Sequence, residues 1–167
     1  MKTHSPLPLS RPVRVDPMPQ GGMAYVVEAD AGERAKLAKL NDLVELENLK
    51  ATFELTPAPG RKVKAVGRLT AKLTQSCVVT LEPMVSVIDE AIALEFAPES
   101  AASANPDDED APDPIVDGTI NLGAVTAEFL TLNIDPYPRK EGAAFEAPVD
   151  EESASPFAAL AKGKDGR

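Results

Sequence analysis

The 167-residue sequence has no tryptophan, one cysteine and one histidine, and these shortages exclude several classes of protein. Two Tyr and five Phe offer few rings for base stacking, which weakens any model of a nucleic-acid-binding aromatic platform. A single cysteine excludes an intramolecular disulfide. The only histidine, His4, lies in a proline-rich terminus, so we do not expect it to be the positioned base that a Ser-His-Asp or Cys-His enzyme needs.

The ligands of a tetrahedral zinc site are also missing, because one cysteine and one terminal histidine cannot supply four nitrogen or sulfur donors. There is no glycine-rich phosphate loop. We therefore predict that the protein is not an enzyme, holds no metal and uses no cofactor. No apolar run approaches the roughly 18 residues of a membrane span, and the N-terminus lacks the apolar core of a signal peptide. A cytoplasmic protein with no membrane partner and no small-molecule substrate is expected.

The net charge of −10 is confined to the second part of the chain. Residues 1–98 carry 12 Lys/Arg and 12 Asp/Glu, whereas residues 99–167 carry 5 and 15. The first part is neutral, so overall charge is a poor guide to the surface of the folded body. An acidic segment can instead keep the protein in solution or attract a basic partner.

Composition divides the chain into four regions. Residues 1–20 form a Pro-rich N-terminal segment, residues 21–98 and 114–146 form a single domain, residues 99–113 form an acidic disordered insert, and residues 147–167 form a C-terminal tail. The insert contains Asp107, Asp108, Glu109 and Asp110, the candidate site for a basic partner. Within the tail, the "PFAAL" stretch is apolar enough to be a short docking segment.

Two helices are predicted from apolar spacing. The first, near 31–43, begins with a capping box of Asp30 and Glu33 and presents Leu37, Leu40 and Val44 on one face. The second, near 121–133, has a single apolar stripe and is stopped by Pro136 and Pro138. That stripe consists of Leu122, Val125, Phe129 and Leu132.

The remaining ordered segments alternate with a period of two, which predicts strands. The clearest runs are residues 49–55, 62–74 and 88–96, and the first two should pair antiparallel. We predict an α+β fold: an antiparallel, meander-like sheet of four to six strands packed by the two helices, with an acidic disordered loop and flexible termini. If the alternation of the run 62–74 continues, Cys77 lies on the same side as Leu73 and faces the core. Burial there is expected to raise the pKa of its thiol and make it inert.

One strand face carries a basic stripe, which consists of Lys62, Lys64, Arg68 and Lys72. Cations spaced by about 7 Å, two residues along a strand, suit contacts with a phosphate backbone. The alternative is an ordinary exposed face on which lysines discourage edge pairing.

A second candidate is the stretch "NIDPYPRK", here called the Tyr137 loop, which contains Tyr137, Arg139 and Lys140. An aromatic ring and two cations between prolines favour a recognition loop. The alternative is simply that these prolines end the helix.

The runs "VGRLTAKLTQSCVVTLEPMVSVIDEAIALEFAP" and "DPIVDGTINLGAVTAEFLTLNIDPYPRKEGAAF", with an acidic insert between them and a terminal "SPFAAL", resemble the YceD-like family of large ribosomal RNA subunit accumulation proteins, in its alphaproteobacterial form. The resemblance implies a role in accumulation of the large-subunit ribosomal RNA. Many members carry a Cys-x-x-Cys pair here and further cysteines near the second block, a pattern suggestive of metal. In this sequence Cys77 matches the first cysteine, Thr80 stands at the second, and the later block has none.

These inferences lead to two functional hypotheses. The first is a non-enzymatic ribosome-biogenesis factor that contacts large-subunit (23S) ribosomal RNA or a pre-ribosomal particle through the basic stripe and the Tyr137 loop. The alternative is a protein adaptor or escort that holds a basic large-subunit ribosomal protein through the acidic insert and never touches RNA.

Overall fold

The computed structural model describes residues 7–100 and 112–144, and within these residues the chain forms two helices and seven strands. In chain order they are β1 (Pro12–Arg14), β2 (Met23–Glu28), α1 (Ala31–Leu40), β3 (Glu45–Ala58), β4 (Lys62–Ser76), β5 (Pro83–Pro98), β6 (Asp113–Ile115), β7 (Thr119–Asn121) and α2 (Leu122–Asn133). The predicted α+β class is confirmed.

Five strands form one sheet in the order β2-β3-β4-β5-β6, with β4 at its centre. Strands β2 to β5 pair antiparallel with their neighbours, which confirms the predicted meander. Strand β6 adds to β5 in parallel, and β1 pairs with β7 in a separate two-stranded sheet. The sequence predicted none of β1, β6 and β7, because three residues are too few for an alternation to be recognised.

The alternating residues of the long strands build the core on one face of the sheet, which we call the inner face. The buried side chains of β3 and β4 are Leu49, Ala51, Phe53, Leu55, Val63, Ala65, Leu69, Ala71 and Leu73. In β5, Ile88, Ile92 and Phe96 point the same way. The opposite, outer face carries the charged and polar residues that alternate with these apolar ones. Val66 is an apolar residue exposed on this outer face.

Helix α1 begins as predicted and ends earlier. The Glu33 N–H donates to Asp30 Oδ1 at 2.8 Å and the Asp30 N–H donates to Glu33 Oε2 at 2.9 Å, which is the predicted capping box. The helix stops at Leu40, and of the predicted apolar face only Leu37 is buried. The prediction was wrong for Leu40 and Val44, which are exposed. Val44 lies beyond the turn that follows Leu40, where helical spacing no longer fixes the direction of a side chain. Leu40 lies in the helix, but the neighbouring described elements leave it uncovered.

Helix α2 lies where it was predicted and packs one side into the core. Leu122 and Val125 are buried, Phe129 is half-buried, and Leu130 is fully buried although it was outside the predicted stripe. Leu132, the last member of that stripe, is exposed. The end of α2 therefore presents an apolar side chain to solvent.

The N-terminal segment takes part in the fold, although its prolines placed it outside the domain in the sequence analysis. Leu9, Val13 and Val15 are buried in the main core. The Arg11 guanidinium donates to both carboxylate oxygens of Glu33, at 2.7 and 2.8 Å. Prolines signal a lack of helix, but they do not prevent an extended segment from packing between elements.

Candidate nucleic-acid and partner interface

The basic stripe lies on the outer face of the central strand β4, as its alternation predicted. Lys64, Arg68 and Lys72 are exposed and Lys62 is half-buried. Strand β4 is paired with β3 over residues 62–74 and with β5 over residues 63–76. Because β4 is a central strand, its lysines cannot serve to prevent edge pairing. The alternative explanation of the stripe therefore reduces to an ordinary exposed strand face.

Three of the four stripe cations are held in ion pairs with neighbouring strands. Lys62 Nζ lies 2.7 Å from Glu95 Oε1, Arg68 Nη2 donates to Asp89 Oδ2 at 2.8 Å, and Lys72 Nζ lies 2.6 Å from Glu47 Oε2. Within the part of the chain that the structure describes, Lys64 makes no ion pair. The stripe thus has a much weaker positive field than its four residues suggest.

Two of these pairs lower the pKa of their carboxylate. The hydrogen bond from Arg68 lowers the pKa of Asp89, and Asp89 in turn raises the pKa of the guanidinium. Lys62, through its hydrogen bond, and the nearby charge of Lys64 both lower the pKa of Glu95. Asp89 and Glu95 therefore stay charged at neutral pH, so an incoming phosphate has to compete with these carboxylates. Exposed ion pairs contribute little to stability, so a polyanion can replace the carboxylates.

The Tyr137 loop is braced against the turn that follows β4. The side chain of Gln75 donates to the Asp135 carbonyl at 2.9 Å, and the Val78 N–H donates to the Pro138 carbonyl at 2.9 Å. Lys140 Nζ pairs with Glu82 Oε2 at 2.8 Å. Tyr137 remains 73% exposed on this braced loop. Helix termination by proline explains where α2 stops, but it does not explain the contacts that fix the loop.

The two predicted basic sites do not share a face of the sheet. Lys72 points outward, whereas Gln75, which contacts the loop, is buried with the parity of the inward Leu73. The Tyr137 loop therefore meets the end of β4 from the inner side. A single ligand that used both sites would have to pass around this end of the sheet.

Cys77 is fully enclosed, as its parity predicted, but the expectation of a raised pKa was wrong. The backbone N–H of Lys140 donates to its sulfur at 3.3 Å, and the hydroxyl and N–H of Thr80 and the N–H of Val79 favour the thiolate in the same way. Together they outweigh desolvation and lower the pKa of Cys77 to about 6. Alternation along a strand predicts which side chains are buried. It does not predict which N–H groups donate to the buried sulfur.

The Cys-x-x-Cys pair implied by the resemblance falls at Cys77 and Thr80, and a hydrogen bond joins this turn to the Tyr137 loop. Cys77, Thr80 and the backbone at Lys140 come together around one sulfur. Hydroxyl and amide donors cannot replace thiolate ligands, and the described residues contain no group of three His, Cys, Asp or Glu side chains suited to a metal ion. These residues do not fit a zinc site.

The turn after β4 exposes apolar side chains that sequence reasoning missed. Leu81 has a φ of 60° and is 77% exposed, and Val78 is 45% exposed. A branched side chain in the left-handed region is uncommon, and the Leu81 N–H, which donates to the Cys77 carbonyl at 2.9 Å, holds it there. No sequence signal marks this conformation, because the usual marker is glycine or asparagine.

The acidic residues Asp107, Asp108, Glu109 and Asp110, together with His4 and the "PFAAL" stretch, lie outside the described residues. Neither helix in the described part of the chain is long and apolar enough to cross a membrane.

The fold and site together define an α+β domain whose candidate residues are ion-paired side chains on a sheet face and a braced loop at the end of that sheet. A comparison with known families matches residues 65–162 to the family described as large ribosomal RNA subunit accumulation protein YceD. The match covers more than half of the chain, and the protein belongs to the YceD family. Its name associates the chain with accumulation of the large-subunit ribosomal RNA. No curated protein and no solved structure matches the chain.

The matched region contains only part of the candidate interface. It includes Arg68, Lys72 and the Tyr137 loop, and it begins after Lys62 and Lys64. Cys77 and the acidic residues 107–110 also lie within it.

Proposed function

We propose that this protein is a non-enzymatic ribosome-biogenesis factor that acts in the bacterial cytoplasm and supports synthesis, processing or accumulation of 23S ribosomal RNA. Membership of the YceD family is the observation that carries this proposal. Its candidate residues are exposed cations and a phenol, whose chemistry is ion pairing, hydrogen bonding and stacking. That chemistry suits binding to an RNA or a pre-ribosomal particle.

In this proposal the basic stripe binds phosphates by exchange. Each carboxylate that now holds Lys62, Arg68 or Lys72 is displaced by a phosphate oxygen, while Lys64 contributes directly. Because every contact starts from an existing ion pair, isolated phosphates gain little. A structured RNA that engages several cations together gains more, which keeps binding to random RNA weak.

The Tyr137 loop supplies a second contact in this proposal. The exposed phenol of Tyr137 can stack on an unpaired base, and Arg139 and Lys140 lie beside it for the adjoining phosphates. The loop is braced before the ligand arrives, so little ordering entropy is lost on binding.

The test is binding of purified 23S ribosomal RNA to the full chain over a series of salt concentrations. Replacing all four stripe cations, Lys62, Lys64, Arg68 and Lys72, by glutamine should lower affinity and flatten the log–log salt slope. With about 0.7 of slope per phosphate contact on single strands, four lost contacts reduce the slope by about 3.

A charge-matched control separates the stripe from general electrostatics. Arg68→Gln/Lys72→Gln removes two charges from the stripe, and Lys36→Gln/Lys39→Gln removes two exposed charges from α1. Only the first pair should change the slope. Equal salt slopes and affinities in all variants would exclude the stripe as an RNA site.

The adaptor hypothesis is kept because of the net charge of −10 and the run of four acidic residues at 107–110. A tagged chain recovered from cells with and without RNase distinguishes the two. Loss of all ribosomal partners after RNase supports RNA contact. Retention of one basic ribosomal protein supports the adaptor and directs mutagenesis to Asp107, Asp108, Glu109 and Asp110.

A further inference from the structure

An apolar groove of about 380 Å³ opens between the N-terminal segment, the end of α1 and one side of α2. Its walls include Leu7, Leu40, Ala127 and Leu132, and Glu128 and Thr131 are the only lining residues with polar side chains. Three of the leucines are largely in solvent: Leu7 is 55%, Leu40 64% and Leu132 72% exposed. Large apolar side chains that converge on one exposed site mark a place where something docks.

The helix patterns point to the same groove. The spacing of each helix predicts that Leu40 and Leu132 face a core, yet both are exposed and both line this groove. A cover over the groove would bury the two leucines that the spacing assigns to the interior.

The size of the groove argues against a second copy of the chain as its occupant. A stable interface between proteins takes about 20–30 residues on each side, far more than this groove offers. A short segment of the same chain needs fewer contacts, because the covalent connection raises its effective concentration to the millimolar range.

The C-terminal tail contains a segment with the required chemistry. Residues 156–160, Pro-Phe-Ala-Ala-Leu, are an apolar cluster in a tail otherwise rich in charged and small residues. The span from Ala144, the last described residue, to Pro156 reaches about 40 Å when extended. A domain of this size has a radius of gyration of about 14 Å, so a span of this length covers much of its surface. Lys162 and Lys164 follow the segment, opposite in charge to Glu128 at the groove.

We propose that the groove between α1 and α2 is the docking site for residues 156–160 of the same chain. Phe157 and Leu160 are the side chains that fill it. This inference is independent of the proposed function, since it concerns a different surface from the basic stripe and the Tyr137 loop.

The absence of tryptophan allows a direct test in the full chain. A Phe157→Trp variant carries one indole, at the centre of the docking segment. Its fluorescence should be blue-shifted and protected from a soluble quencher, and it should be unchanged on dilution because the contact is intramolecular.

Groove variants then decide the assignment. Adding Leu132→Asp on the α2 wall, or Leu40→Asp on the α1 wall, should shift the emission to that of a solvated indole. Both residues are exposed, so the fold tolerates the changes, and circular dichroism verifies this. Leu81→Asp is the matched control, because Leu81 is a similarly exposed leucine that does not line the groove. This variant should keep the blue-shifted emission.

Three results would overturn the proposal. Emission typical of solvated indole in the parent variant would mean that the segment does not dock. A blue shift that both groove variants leave intact would place the segment elsewhere. A blue shift that disappears on dilution would assign the groove to a second copy of the chain.

Discussion

Cys77 illustrates how far sequence reasoning goes for a single residue. Alternation along β4 predicts that its side chain is enclosed, and the structure confirms this. Its pKa depends instead on the N–H of Lys140, 63 positions away, and on the nearby Thr80. Donors brought together by the fold decide the charge of the sulfur, and neither composition nor spacing reveals them.

The lowered pKa of Cys77 makes a prediction about stability and pH. Because the folded pKa, about 6, lies below the ordinary value of 9.0, the thiolate stabilises the fold fully above pH 9 and loses this effect as pH falls through 6. The free energy of unfolding in urea should therefore rise from pH 6 toward pH 9. In Cys77→Ser, which keeps a hydrogen-bonding group without that titration, the rise should be absent.

The ultraviolet absorbance of the thiolate measures the same titration directly. Native protein should show a midpoint near pH 6, and urea-unfolded protein should return to the ordinary range. A native midpoint at or above the unfolded one would refute the hydrogen-bonded thiolate.

At the scale of elements, the close approach of β3 and β4 depends on Gly67. A Cβ added there would clash with the backbone carbonyl of Thr52 on β3, and backbone cannot move aside as a side chain does. In the sequence, Gly67 simply occupies an inward position of the alternation. The need for glycine becomes visible only when the two strands are paired in their native register, in which Gly67 lies opposite Phe53.

Gly67→Ala is therefore expected to destabilise the protein by about 1–3 kcal/mol, the usual cost of overpacking. Urea unfolding measures it. Gly21→Ala is the matched control, because a Cβ at Gly21 meets nothing within 4 Å, and it should leave the midpoint nearly unchanged. Equal midpoints for the two variants would show that β3 and β4 can separate without cost.

The two helices show a second limit at this scale. The capping box of Asp30 and Glu33 is a local feature, and it was predicted correctly. Apolar spacing correctly predicted Leu37, Leu122 and Val125 as buried but failed at Leu40 and Leu132. Spacing defines a face of a helix, whereas the neighbouring elements decide how much of that face is covered.

For the whole molecule, ion pairs join segments that are distant in sequence. Arg11 holds Glu33, Lys62 holds Glu95, Arg68 holds Asp89 and Lys140 holds Glu82. In every pair the hydrogen bond from the cation is the main cause that lowers the pKa of the carboxylate. The fold thus binds fewer protons than the unfolded chain in mildly acidic solution.

Acid should consequently weaken the protein. Carboxylates whose pKa is lowered by folding stabilise the protein at pH values above about 4, the ordinary carboxyl pKa. This stabilisation is lost as the pH falls through their pKa values in the folded protein. The urea midpoint should drop between pH 5 and pH 3. Glu33→Gln preserves the capping hydrogen bond to Asp30 but removes the charge that faces Arg11, so it should reduce this drop.

The exposed Glu45 on β3 provides the control. Glu45→Gln should retain the acid dependence of the parent protein. An acid response in Glu33→Gln identical to that of the parent would contradict a stabilising role for the Arg11–Glu33 pair.

The sequence by itself determined the α+β class, the pairing of β3 with β4, the start of α1, the enclosure of Cys77 and the outward direction of the basic stripe. All of these follow from local periodicity, which the backbone geometry of helices and strands imposes. Only the tertiary structure decided that carboxylates hold three stripe cations, that the Tyr137 loop meets the sheet from the other face, and that the Cys77 sulfur accepts hydrogen bonds. These properties depend on contacts between residues 21 to 63 positions apart, and strand register sets such contacts.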